Sequence, residues 1–316
     1  MNINYKAWRK WCDDNPPKNG ESKLNHVDLF TALDDLVPQI RSSVESTSEL
    51  VLERWKQQEG FKIKSEEVIG CGVRDLLGGV WFALKEKVDQ LLVPSDVYPV
   101  YFDILSDKPI YRFSVLPQLK LDFLSRCTDR ALLLLPVPLH PSGLHLGAPD
   151  AEVLNSWLGE SEDRWLVIDA VYNYGKKTPV EVERLMDAER CIVLRSMSKA
   201  WLCRKLFGVA EVPEKLKADI QASVTTPTEE GMARCLAALE ADVRTEQRER
   251  IAKGWRSAIE ILDPHLGNEP LSETGYLGIV RENWLWWLQR GIHVVPASVF
   301  GSNRDDLSVV SCLDYV

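Results

Sequence analysis

A succession of short apolar runs, each ended by a polar or glycine-rich loop, constrains this chain most strongly. Trp165-Leu166-Val167-Ile168 ends at Asp169, and Arg190-Cys191-Ile192-Val193-Leu194-Arg195 ends at Ser196. Both have the length and composition of buried strands. Upstream, Glu67-Val68-Ile69-Gly70 runs into Cys71-Gly72-Val73-Arg74-Asp75, after which Leu76, Leu77, Val80, Trp81 and Leu84 mark one face of a helix. Gln90-Leu91-Leu92-Val93-Pro94 delivers Ser95-Asp96-Val97-Tyr98-Pro99-Val100-Tyr101, and Ala131 to Leu135 delivers Pro136-Val137-Pro138-Leu139-His140-Pro141-Ser142-Gly143. Repeated strand, loop and helix units predict a doubly wound α/β domain, whose ligands lie at the carboxyl ends of the strands.

The rest of the chain reads as more helix and a smaller α+β tail. From about Asp28 to Glu59 the pattern is helical, and from about Thr228 to Leu262 the chain reads as a long charged helical stretch. The tail holds a strand-like Gly275-Tyr276-Leu277-Gly278-Ile279-Val280, a helix with Trp284, Trp286 and Trp287, and His293-Val294-Val295-Pro296. An amphipathic opening carries Trp8 and Trp11, read as apolar surface for a partner to cover.

Composition excludes several functions. A net charge of -9 without a basic stretch argues against a nucleic-acid surface, which needs clustered Lys and Arg to displace counterions. No apolar run approaches the ~18 residues of a membrane span, and the start is polar, so the expectation is a cytoplasmic protein without membrane contact. Seven cysteines (Cys12, Cys71, Cys127, Cys191, Cys203, Cys235, Cys312) lack C-x-x-C spacing, which points to neither a disulfide framework nor a zinc site. They read as small buried residues, Cys71 and Cys203 excepted because they fall inside site motifs. The five histidines lack metal-ligand spacing too.

Lys199 in Ser196-Met197-Ser198-Lys199 gives these loops a chemistry. A lysine that forms an imine with an aldehyde cofactor needs an acid for the ring nitrogen, donors for the phenolic oxygen and donors for a phosphate. Asp169-Ala170-Val171-Tyr172, the His140 turn and the Gly72 turn supply those types in order. A glycine turn opening a helix is suited to a phosphate because the first backbone amides are unpaired.

Together these segments resemble the pyridoxal-phosphate enzymes of the aspartate aminotransferase fold, class I/II, nearest the histidinol-phosphate aminotransferase branch, over nearly the whole chain. Asp14-Asn15-Pro16 is similar to that family's Asn-Glu-Asn-Pro, and Gly70 to Asp75 to its Gly-Asn-Gly-Ser-Asp-Glu turn. Val97 to Tyr101 resembles Thr-Tyr-Pro-x-Tyr, and Pro138 to Gly143 resembles Pro-Asn-Asn-Pro-Thr-Gly. Asp169 to Tyr172 is similar to Asp-Glu-Ala-Tyr, Ser196 to Lys199 to Ser-x-Ser-Lys, and Val295 to Gly301 to Val-x-Pro-Gly-x-x-Phe-Gly.

The resemblance implies an α/β protein of fold type I: a large domain with a mostly parallel sheet flanked by helices, plus a smaller α+β domain. It implies an N-terminal segment of the small domain over residues 1–40, a cofactor-binding large domain over 41–235 and a C-terminal small domain over 236–316. Pyridoxal 5'-phosphate is the implied cofactor. Lys199 would form the internal aldimine and shuttle the α-proton, Asp169 would pair with the pyridinium nitrogen, and Tyr172 would donate to the phenolic oxygen. Tyr98 would stack on the ring, and Ser196 with the amides of Val73 and Arg74 would hold the phosphate. The implied partners are an amine or amino-acid-like small molecule and a second copy of the chain.

Several positions depart from the family pattern. His140 stands where the family has an asparagine that donates to the phenolic oxygen. The family's phosphate-binding arginine falls on Leu206, with Arg204 or Lys205 as replacements. Its carboxylate-gripping arginine aligns with Leu307-Ser308-Val309-Val310-Ser311, where no arginine stands, and Arg304 is the nearby substitute. The partner-subunit tyrosine expected near Ser43 to Ser48 is not visible. Three readings follow: an aminotransferase with atypical substrate recognition; a decarboxylase, lyase or cyclase in a biosynthetic pathway; and a non-catalytic homologue.

Overall fold

The structure is a computed structural model and describes residues 4–37, 46–97, 100–173, 180–266 and 275–316. Seven strands make the main sheet: β1 (Glu66–Gly70), β2 (Gln90–Pro94), β3 (Ile110–Phe113), β4 (Ala131–Pro136), β5 (Trp165–Asp169), β6 (Cys191–Ser196) and β7 (Gly208–Val212). Their order is β1-β7-β6-β5-β4-β2-β3. The strands from β3 to β6 run parallel, while β7 is antiparallel to both its neighbours. Asp169 and Ser196 therefore end adjacent parallel strands at the same end of the sheet.

Side-chain alternation builds the layers. Leu132 and Leu134 of β4, Val167 of β5, and Ile192 and Leu194 of β6 face one core, while Leu133 and Leu135, Leu166 and Ile168, and Val193 face the other. Adjacent residues of a strand point to opposite faces, so continuous apolar runs are what a sheet covered on both sides requires. Among the described residues, eight longer helices complete the fold: α1 (Tyr5–Asp14), α2 (Ser48–Glu59), α3 (Val73–Leu84), α4 (Ala148–Gly159), α5 (Val180–Met186), α6 (Glu214–Gln221), α7 (Glu229–Glu240) and α8 (Val243–Leu266). Helices α3 and α6 cover one face, and α4 and α5 the other.

A third core joins α1, α2, α7 and α8 to a three-stranded antiparallel sheet made of β8 (Leu277–Arg281), β9 (Val295–Pro296) and β10 (Leu307–Ser311), in the order β9-β10-β8. Ser22 and Lys23 pair in parallel with Ile292 and His293, tying the N-terminal segment to the C-terminal one.

Three sequence expectations are corrected. The stretch from Asp28 is not one helix: a short helix at Leu29–Ala32 ends at Leu33, and α2 starts afresh after Thr47, whose side chain accepts the Leu50 N–H at 3.2 Å. The stretch from Thr228 breaks into α7 and α8 at Asp242, which takes a positive φ of 47°. Of the two opening tryptophans, Trp8 offers no surface to a partner, while Trp11 stays half-exposed. Trp8 is buried within its own chain, and Trp11 packs edge-on against Trp284 with ring centroids 4.9 Å apart. Burying a large apolar side chain contributes roughly 1.5–3 kcal/mol, which the chain gains here unaided. Among the described residues no helix is long and apolar enough to cross a membrane, and no group of acidic, His and Cys residues could hold a metal.

Candidate active site

The site is assembled where β4, β5 and β6 end. Asp169 closes β5 and is buried. Its Oδ1 accepts the Val171 amide at 3.0 Å, and its Oδ2 accepts the Tyr101 phenol at 2.6 Å. Burial pushes this carboxyl up to about 6, against the opposing pull of Tyr101, the Val171 amide and Lys199. Lys199 follows β6. Desolvation, aided by Arg204 and Arg74, brings its ammonium down to about 8, while Asp28 and Asp169 oppose the fall. The amine lies between two rings, with Nζ 5.2 Å from the Phe30 centroid and 5.4 Å from that of Tyr172.

His140 and Tyr172 form one wall. Their rings stack at 4.3 Å with planes 10° apart, and Phe300 meets His140 edge-on at 5.7 Å. Burial, reinforced by the Lys199 charge, pushes His140 down to about 3, so the imidazole is neutral at physiological pH. Behind this wall Tyr276, Gly275 and Leu277 complete a small pocket with Pro138, Leu139 and Pro141.

A second part of the site forms where β1 turns into α3. Gly72 adopts φ 101° and ψ 178°, and Val73 opens the helix. A Cβ on Gly72 would lie 3.3 Å from Ser196 Oγ and 3.4 Å from Ser198 Oγ. The two hydroxyls are 2.7 Å apart, and Ser196 Oγ also lies 3.2 Å from the Phe207 carbonyl and accepts the Ser198 amide. Asp75 holds the turn: its carboxylate accepts the Cys71 amide at 2.8 Å and both the amide and hydroxyl of Thr225. The first amides of a helix have no intrahelical acceptors, and here the start of α3 lies beside the two serine hydroxyls.

The structure thus brings Asp169, Tyr172, His140 and Lys199 together and sets Ser196 against the Gly72 turn ahead of Val73 and Arg74. Tyr98 lies outside the described residues. Arg204 is exposed at the mouth, its guanidinium 5.2 Å from the Phe30 ring. Leu206 is half-buried and packs against the core. Arg304, the substitute considered for the clamp, forks onto Asp306, Nε to Oδ1 at 2.6 Å and Nη2 to Oδ2 at 2.5 Å. On β10, Leu307, Ser308 and Val309 are buried, and Ser308 Oγ donates to the Glu282 carbonyl at 2.8 Å.

Sequence reading assigned no role to Tyr101, Phe30, Asp28 or Asp75. Tyr101 stands in the Tyr98-Pro99-Val100-Tyr101 segment already singled out, a signal that was present. Phe30 and Asp28 reach Lys199 from 169 or more residues away in sequence, which no local pattern reveals.

No family model matches the chain. Histidinol-phosphate aminotransferase from Haloquadratum walsbyi is 31% identical over 189 residues, 57% of this chain and 49% of that protein. The enzyme of the same name from Natronomonas pharaonis is 27% identical over 201 residues, 60% and 55% of the two chains. The chain therefore spans about half the length of the curated relatives it matches. Among solved structures, a methionine aminotransferase from Escherichia coli superposes with a TM-score of 0.70 at 17% identity, covering 98% of this chain and 92% of that one. An aspartate aminotransferase mutant from Thermus thermophilus gives 0.72 at 15%, covering 98% and 91%. The chain has the α/β fold of the aspartate aminotransferases, fold type I of the pyridoxal-phosphate enzymes, and is related in sequence over its matched half to histidinol-phosphate aminotransferases.

Proposed function

We propose that the protein is a pyridoxal-phosphate enzyme of the aminotransferase class, acting on an amine or amino-acid-like substrate through Lys199. The observation that carries this reading is the meeting of Lys199 and Asp169 from neighbouring strand ends, a partly buried amine lowered toward neutrality beside a buried carboxylate. The cradle at Gly72, which a Cβ would fill, and the paired hydroxyls of Ser196 and Ser198 fit a phosphate. When bound, pyridoxal phosphate supplies an aldehyde for an amine to condense with and a ring that accepts electrons from the bond being broken.

The chain's own residues would then divide the work. Ser196 and the amides of Val73 and Arg74 hold the phosphate, with Arg204 adding positive charge at the mouth. Asp169 holds a proton on the ring nitrogen by charge. Neutral His140 and Tyr172 supply donors for the phenolic oxygen, and their stacked rings, with Phe300 edge-on to His140, keep that side apolar. Lys199 Nζ, already near its neutral form at pH 8, is the base suited to carry the proton at the substrate α-carbon.

Substrate recognition departs from a bidentate carboxylate clamp. That clamp needs a guanidinium facing the site, and β10 offers Leu307, Ser308 and Val309 while Arg304 is held by Asp306. We place the substrate among amines, or amino acids whose carboxylate is masked or bound elsewhere. The protein is expected to act as a homodimer, as the resemblance implies, and in the cytoplasm, where its seven free thiols stay reduced. Light scattering at working concentration tests the dimer.

The test of the reaction is a half-turnover. Protein loaded with pyridoxal phosphate is mixed with candidate amines and amino acids, and released cofactor is separated by chromatography. Stoichiometric pyridoxamine phosphate with some amine supports transamination. Carbon dioxide or an eliminated group with unchanged cofactor instead gives the decarboxylase or lyase reading; a C-S lyase from Staphylococcus hominis shares the fold with a TM-score of 0.69.

A further inference from the structure

We propose that Tyr101 is a positioning residue for Asp169: its phenol donates to Oδ2 at 2.6 Å and, with the Val171 amide on Oδ1 at 3.0 Å, fixes the plane of the carboxylate and holds it ionised. The proposal rests on the reading of Asp169 as the partner of a cofactor ring nitrogen. Tyr101 lies on the short helix Val100–Ile104 and Asp169 ends β5, 68 residues later in sequence.

The chemistry follows from the two hydrogen bonds. A carboxylate buried without donors takes up a proton, and a protonated acid cannot balance a pyridinium charge. A neutral phenol is a donor with no charge of its own, so it stabilises the ionised carboxylate without competing as a cation. Burial, the Asp169 charge and the Tyr172 ring all hold the Tyr101 proton in place, pushing that phenol well above its ordinary value. The same bond draws electron density from Oδ2, so Tyr101 sets how strongly Asp169 holds a proton on whatever nitrogen it faces. The titratable groups around this carboxylate are Tyr101 from the helix after β2, Lys199 from the turn after β6, Tyr172 acting on Tyr101, and His140 acting with Lys199.

The test changes the donor without changing the shape. In apoprotein, infrared titration follows the Asp169 carboxyl, identified by the band missing in D169N. Y101F removes the donor and is expected to move the Asp169 midpoint up by at least one pH unit, a tenfold weaker acid. Fluorotyrosine at position 101, a stronger donor of nearly the same volume, is expected to move it down. A packing role alone predicts no shift with either replacement, or shifts of one sign with both, and either result overturns the proposal. Thermal melts check that the variants are folded, and the fluorotyrosine protein keeps the test decisive if Y101F is not. Pyridoxal phosphate is then added to the same samples. Failure of the wild type to bind it would refute the proposed function while leaving the carboxyl titration to judge Tyr101.

Discussion

Gly72→Ala tests the anion cradle where the backbone leaves least room. Gly72 sits at φ 101° and ψ 178°, a region essentially reserved for glycine, where another residue costs of order 1–3 kcal/mol. The added Cβ would stand 3.3 Å from Ser196 Oγ, a contact that forces the hydroxyl to give by a few tenths of an ångström. Relief by rotating φ is blocked from behind, because Gly208 already brings its backbone against Gly72: a Cβ on Gly208 would meet Gly72 Cα at 2.8 Å. Gly72→Ala is therefore expected to destabilise the apoprotein by about 1–3 kcal/mol, and so to lower Tm by roughly 2–10 °C at the few degrees per kcal/mol typical of chains this large. It should also weaken pyridoxal phosphate about tenfold or more, since the strain is released at the amides that face the anion. Gly78→Ala on the same helix is the control. A Cβ there meets nothing within 4 Å, and removing a mid-helix glycine should stabilise by roughly 0.5–1 kcal/mol. Melting curves and cofactor titrations of both variants give the answer, and a Gly72→Ala protein that melts and binds as the wild type does would refute the cradle.

Further outcomes follow from the charges in the site. Asp169→Asn should abolish turnover yet stabilise the apoprotein above pH 6: a carboxyl raised from 3.8 to about 6 opposes folding when ionised, by up to about 3 kcal/mol at 1.4 kcal/mol per unit, and that penalty fades as pH falls from 6 toward 3.8. Melts at pH 8 and pH 4.5 check it, with a gain of about 3 kcal/mol at the higher pH falling to about 1 kcal/mol at the lower. The Lys199 amine, lowered from 10.5 to about 8, should react with aldehydes at a rate rising through pH 8 and flat above pH 9, read by stopped-flow absorbance. Arg304→Ala removes only an exposed pair with Asp306 and should change stability by less than about 1 kcal/mol, with no change in the concentration of a carboxylated amine needed for half-maximal reaction.

What the sequence shows and what it hides divide along the range of the interactions. Strands β2 and β5 are legible to the residue because both faces of a central parallel strand are covered, so their apolar runs are unbroken. Strand β3 escapes notice because Tyr111 and Arg112 are exposed at the sheet edge. Strand β7 escapes because Gly208 and Glu211 interrupt its pattern; Glu211 is buried all the same and accepts the Lys64 amide at 2.9 Å. The break at Asp242 depends on a backbone twist that the helical periodicity on either side conceals. In the site, Asp169, Tyr172, His140 and Lys199, each carried by a local motif, lie near one another. The bond from Tyr101 to Asp169, the approach of Phe30 to Lys199 and the capture of Arg304 by Asp306 are properties of the packed chain.

The central claim is that Lys199 is the residue that bonds to the cofactor, and mass analysis tests it most directly. Protein incubated with pyridoxal phosphate is reduced with borohydride, digested, and its peptides are weighed. The account predicts one added pyridoxyl phosphate on the peptide containing Lys199, no such addition there in folded K199A, and little elsewhere. A cofactor adduct spread over surface lysines, with the Lys199 peptide unmodified, would contradict it.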